Sequence, residues 1–197
     1  FVELQGIQAE LDAWLSKVRK AESIAILEIM ENDFVQIGKC SVFIPSHISD
    51  IEVHSAKGSV QIRNLPVNVL ATTEHRDITI SDVQFAEVSS VSGNILIEEC
   101  DGCSVRTIDG SITCIGINGS IQVETQNGNV RIDRVDENVA AVSDQGKISV
   151  RGVAGRVRLI SNKGDIELEI VGPSGGGEIQ TYSGDIAIQL EHSNLEF

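Results

Sequence analysis

Apolar and polar positions recur along this chain with a period of 17 to 20 residues, and the same short pattern opens each repeat. Eight segments carry it: 58–62 (GSVQI), 76–80 (RDITI), 93–97 (GNILI), 110–114 (GSITC), 128–132 (GNVRI), 146–150 (GKISV), 164–168 (GDIEL) and 184–188 (GDIAI). Self-similarity at this spacing predicts a stacked solenoid in which every turn buries the same positions. Two residues after the leading small residue stand Val60, Ile78, Ile95, Ile112, Val130, Ile148, Ile166 and Ile186. Four after it stand Ile62, Ile80, Ile97, Cys114, Ile132, Val150, Leu168 and Ile188, so each strand alternates as a half-buried β-strand does. A third anchor comes seven after it, from Leu65 through Val171, and gives way to Glu191 in the last repeat.

Three residues before the leading position lies a column of hydroxyls alone: Ser55, Thr73, Ser90, Thr107, Thr125, Ser143, Ser161 and Thr181. Such a file reads as structural, with each hydroxyl bonding to backbone nearby and to the hydroxyl one turn away. The glycine that follows is expected to turn the chain with positive φ, which costs little without a Cβ. Arg76 alone breaks the glycine pattern, so local strain is expected in its turn.

Before the repeat, Leu4, Ile7, Leu11, Trp14, Leu15 and Val18 recur at helical spacing, which predicts an amphipathic helix that caps the N-terminal end of the coil. The predicted organisation is therefore a helix over 1–22 and one all-β, parallel solenoid domain over 23–197, with about eight regular rungs over 51–191. Irregular first rungs are expected between residues 23 and 50, and the glycine-rich segment 172–177 reads as a loop rather than a phosphate cradle.

A formal net charge of −14 excludes a polyanionic partner, since nucleic acid and anionic membranes demand a basic patch. No stretch approaches the roughly 20 apolar residues of a membrane span, so membrane insertion is not expected. The outward column Asp133, Arg151, Glu169 alternates in sign, as a cross-strand charge ladder would.

Candidate chemistry is sparse. Cys100 and Cys103 form a C-x-x-C with Cys114 close behind, a spacing compatible with half a zinc site or a redox pair. Yet Cys100 shares its column with Leu65 and Ile117, Cys103 with Ile121 and Val139, and Cys114 with Ile97 and Ile132, which favours core packing. Whether Cys100 and Cys103 are bonded stays open. Unpaired thiols favour a cytoplasmic setting slightly over the cell surface. Asp165 and Asp185 read as turn caps before they read as a calcium site. The outward columns never place three acids on neighbouring turns, so polysaccharide cleavage has no carboxylate cluster to work with. No catalytic, cofactor-binding or metal-binding residue is assigned, and a non-enzyme is expected.

An Ile44-Pro45 step followed by residues 51–62 (IEVHSAKGSVQI) and then repeated (Ser/Thr)-x-x-Gly-(Asp/Ser/Asn)-Ile-x-Val resembles the adhesin-type family of bacterial β-solenoid domains, often described only as a domain of unknown function. The resemblance spans about residues 42–190 and implies a right-handed coil with no known catalytic residue to carry over. Bactofilin-like polymers, similar solenoids of about this period, imply what open ends can do. The favoured expectation is a scaffold or protein-interaction module, binding a protein partner or a second copy through its end rungs or its helix. A glycan-binding or surface-adhesive module is the alternative, motivated by outward Asn, Ser and Thr, although aromatics make up only 4% of the chain.

Overall fold

The computed structural model describes residues 24–29, 35–37, 49–55, 59–171 and 175–191. The helix expected over 1–22 lies outside them. The described strands run β1 (Ile24–Ile29), β2 (Val35–Ile37), β3 (Asp50–Ser55), β4 (Val60–Thr73), β5 (Ile78–Ser92), β6 (Ile95–Asp109), β7 (Ile112–Ile117), β8 (Ile121–Thr125), β9 (Val130–Val135), β10 (Val139–Ser143), β11 (Ile148–Val153), β12 (Val157–Ser161), β13 (Ile166–Val171), β14 (Gly177–Thr181) and β15 (Ile186–Glu191). All their pairings are parallel, and no helix occurs among the described residues.

Each turn of the coil contributes one strand to each of two faces. On the first face β7, β9, β11, β13 and β15 stack upon the leading halves of β4, β5 and β6, and the eight strands from Val60 to Ile186 enclose about seven turns. On the second face β8, β10, β12 and β14 stack upon the trailing halves of the same three strands. The long strands β4 to β6 bend around the corner between faces, which joins all fifteen into one sheet. The irregular first rungs are also present: β1 pairs with β3, and β2 pairs with β4 with Val35 opposite Val60.

The core is the space between the faces, filled by aliphatic files. Ile78, Ile95, Ile112, Val130, Ile148 and Ile166 are all buried, as are Ile80, Ile97, Cys114, Ile132, Val150 and Leu168 beside them. At about 25 cal/mol per Å² of apolar surface removed from water, these files are the main force holding one turn on the next.

The glycines work differently from the sequence expectation. Positive φ does not fall on the turn-opening glycines 93, 110, 128, 146 and 164, and among the described ones Gly184 alone has it, at 157°. They are required because successive turns touch there: a Cβ on Gly128 would lie 1.9 Å from the Gly110 carbonyl oxygen, and one on Gly110 would lie 2.0 Å from that of Gly93. The left-handed column sits six residues later, at Asn64, Asp82, Glu99, Gly116, Arg134 and Gly152, where φ runs from 52° to 69° and the chain swings from one face to the other. Arg76 shows no positive φ, and the left-handed residue of its turn, Asp82, occupies the same column as those of the neighbouring turns.

The hydroxyl file is present and buried at every described turn from Ser55 to Ser161. Its bonds run to backbone: Thr125, Ser143 and Thr181 donate to the carbonyls of Gly110, Gly128 and Gly164, each one turn back. The hydroxyls of Thr73, Ser90, Thr107 and Ser161 have no hydrogen-bond partner, so the expected hydroxyl-to-hydroxyl chain does not form through them.

Candidate interaction surface

Side-chain acceptors cap the corner that follows the hydroxyl file. The Asp77 carboxylate accepts the Asn94 N–H at 2.7 Å, Asn94 Oδ1 accepts the Ser111 N–H at 3.1 Å, and Asn129 Oδ1 accepts the Lys147 N–H at 3.0 Å. Asp165 does the same for the Asp185 N–H at 2.9 Å, so this pair is a turn cap. At the opposite corner Asn138 Oδ1 accepts the Arg156 N–H at 3.0 Å. These ladders satisfy backbone donors that the turns leave over.

The three core thiols meet one another. Cys100, Cys103 and Cys114 are free and buried, aligned with Val83 and Ile117, with Ala86 and Ile121, and with Ile97 and Ile132 respectively. Both Cys100 and Cys103 are pushed well above the ordinary thiol range. For Cys100 the hydrogen bond with Cys103 is the largest cause and burial the next. For Cys103 the Cys100 contact acts downward, while the contact with Cys114 and burial act upward and prevail. Thiols held neutral in this way are poor nucleophiles and poor metal ligands. Among the described residues no group of three His, Cys, Asp or Glu side chains is arranged to hold a metal ion.

Outward charges on the faces are paired across turns. Arg151 Nε lies 3.1 Å from Glu169, Lys147 Nζ lies 2.5 Å from Glu167, and on the second face Arg106 and Arg158 meet Glu124 and Glu178 at 2.7 and 3.3 Å. The alternating ladder holds from Arg151 to Glu169, whereas Asp133 faces Arg131 of its own strand at 3.9 Å. These exposed pairs contribute little to stability and mainly keep register. A shallow groove of about 850 Å³ runs along the first face between the Arg131, Glu167, Ala187 file and the Asp133, Arg151, Glu169 file, and ends at β15.

At that end the core opens. Ile186 and Ile188 continue files that are buried at every earlier turn, yet they are 44% and 55% exposed, and Leu190 is 60% exposed. Tyr182 at the preceding corner is 85% exposed. Among the described residues no strand lies beyond β14 and β15. The period places Ile186 and Ile188 in the core files. Their exposure depends on what stacks beyond them, which no local pattern encodes.

A parallel β-solenoid whose corners are capped turn by turn belongs to the class of repeat proteins. Within that class the chain is a member of the Toastrack DUF4097 family, whose model matches residues 38–197. No curated protein and no solved structure matches the chain. The likeness seen in the sequence therefore holds as membership of a β-solenoid family of unknown function.

Proposed function

We propose that this chain is a non-catalytic structural module that binds protein through its end rungs. The observation that carries this reading is the exposure of Ile186, Ile188 and Leu190 on a strand with no further strand beside it among the described residues, because an uncovered edge is a template for pairing with another chain. The buried files support it by contrast: at the earlier turns the residues equivalent to Ile186 and Ile188 are covered by the next turn, and several outward charges of the faces are paired across turns. A net charge of −14 directs the reading away from nucleic acid. Removing residues 1–22 tests it at the opposite end. The β1–β2 end is then expected to associate and raise the particle mass in light scattering, and an unchanged mass rejects a capping role for that segment.

A glycan-binding reading rests on Tyr182, whose exposed ring is the kind of surface on which a sugar stacks. A glycan array answers it, with no binding expected and a hit abolished by Tyr182→Ala deciding for the sugar.

A further inference from the structure

We infer that the Thr72 hydroxyl is an activated nucleophile, and that the face bearing it carries an acylation site which accepts one acyl group from a donor with a good leaving group. The inference is independent of the end-rung reading. It stands on three outward side chains of β3 and β4. His54 lies opposite Thr72 across the two strands, and Glu52 precedes His54 by two residues on the same side of β3. The imidazole joins them: its Nδ1 is hydrogen-bonded to Thr72 Oγ1, and its Nε2 lies 2.6 Å from Glu52 Oε1. A carboxylate only accepts, so Nε2 carries the ring hydrogen and Nδ1 of the neutral imidazole is left to accept the Thr72 proton. Hydroxyl, base and orienting carboxylate in this order are what make an alcohol nucleophilic. The groups can be reached from solvent, since the side chains of His54 and Glu52 are 39% and 28% exposed and Thr72 is half-buried.

A second histidine supplies the comparison. His75 Nδ1 stands 3.0 Å from Ser92 Oγ, but among the described residues no carboxylate bonds to its Nε2, and the Ser92 hydroxyl donates to the Glu74 carbonyl at 3.4 Å. Ser92 is a primary alcohol, which without activation reacts faster than the secondary alcohol of Thr72. The backbone sets the limit of the chemistry. Thr72 lies on β4 between β3 and β5, where parallel ladders take up the N–H groups, so no free pair of them forms an oxyanion hole. Amides and unactivated esters are therefore beyond this site, whereas acyl thioesters and acyl phosphates are within it. In the step, Thr72 Oγ1 bonds to the acyl carbon and its proton passes to His54 Nδ1. The bond from that carbon to the thiolate or phosphate then breaks, and the proton leaves with the departing group. The product is an unactivated ester, so one acyl group stays on Thr72 and no turnover follows. Asp50 and Glu52 on this side of β3, in a chain of net charge −14, repel a phosphate, which makes the thioester the favoured donor.

The test is acetylation of the whole chain by p-nitrophenyl acetate, by an acetyl thioester and by acetyl phosphate in separate arms, with the acetyl group located by peptide mass. Thr72 is expected to be labelled ahead of Ser92, and the thioester to outpace acetyl phosphate. His54→Ala should slow labelling of Thr72 by about a hundredfold or more, and free imidazole added to that variant should restore part of the rate. Glu52→Gln should slow labelling of the otherwise unchanged chain yet cost nothing further in the His54→Ala background, because Glu52 acts through the ring as a positioning residue. Thr72→Ser should keep an acetyl group at position 72. Both His54→Ala and Glu52→Gln change solvent-facing side chains, so their thermal midpoints should stay close to that of the parent chain. No acetyl group on Thr72 from any of the three donors, labelling of Ser92 ahead of Thr72, or a rate at Thr72 indifferent to His54→Ala overturns the inference. Should a variant lose its fold, the order of Thr72 and Ser92 in the parent chain still decides.

Discussion

Arg134 reaches past a whole turn of the coil to meet Glu99, its Nη2 standing 3.5 Å from Glu99 Oε1 across 35 residues of sequence. Gly116 belongs to the turn between them, and a Cβ there would lie 2.5 Å from Glu99 Oε1. The missing side chain is thus the notch through which Glu99 reaches. All three residues hold left-handed φ, at 52°, 69° and 60° in chain order, so the same corner combines strain and an ion pair.

Gly116→Ala should therefore lower stability by about 1–2 kcal/mol from the left-handed backbone alone, with a further loss as the Glu99 carboxylate is displaced. Adding Glu99→Ala should recover the second part and leave the first. Arg134→Gly removes an exposed pair worth little and relieves a strained φ, so its denaturation midpoint should stay the same or rise. A large fall for Arg134→Gly would show that the pair matters more than the backbone.

The turn-opening glycines test a different constraint. Gly128→Ala needs no unusual φ, yet its Cβ would enter the Gly110 carbonyl at 1.9 Å, so two turns must separate to admit a methyl group. Overpacking of this kind typically costs about 1–3 kcal/mol. The loss should register as a lower thermal midpoint. If Gly128→Ala proves neutral, the contact between turns is looser than this geometry requires.

These two glycine roles explain what the sequence could convey. The aliphatic files were legible because burial repeats wherever the turn repeats, and Cys100, Cys103 and Cys114 were placed in the core by position in the period alone. The cap made by Asp165 was legible from its residue type and place. A glycine shows only that a Cβ is unwelcome, and does not reveal whether φ or a neighbouring carbonyl forbids it. The left-handed column escaped notice because Asn64, Asp82, Glu99 and Arg134 occupy it as readily as Gly116 and Gly152 do. There the corner's tertiary geometry overrides local preference. The open end was legible only as a change of residue type at Glu191, since exposure of Ile186 and Ile188 depends on the absence of a neighbour among the described residues.

Hydroxyls of one column should differ in worth. Thr107→Val replaces a buried, unpartnered hydroxyl by a methyl group of similar size, which should be neutral or stabilising by up to about 1–2 kcal/mol. Thr125→Val removes the bond to the Gly110 carbonyl and should cost about 1 kcal/mol. Chemical denaturation of the two variants decides the matter. Equal losses would mean that the file acts through its shape alone.

The core thiols predict an alkaline limb to stability. Cys100 and Cys103 stay protonated in the folded chain well above the pH at which they ionise when unfolded, near 8.5. Above that pH the unfolded state has released protons that the folded state keeps, so the folded state loses ground as pH rises, by about 1.4 kcal/mol per pH unit for each thiol. Below it the two states hold the same thiol protons and no dependence arises from this source. The paired substitution Cys100→Val and Cys103→Ala, matching the aligned Val83 and Ala86, should flatten the decline between about pH 9 and 10.5. In a Cys40→Ser background the native thiols should also resist a thiol-reactive dye until the chain unfolds, because burial and mutual hydrogen bonding leave no accessible thiolate. Rapid labelling of the folded chain would show that the turn carrying Cys100 and Cys103 opens locally, and the alkaline decline would then belong to that opening rather than to global unfolding.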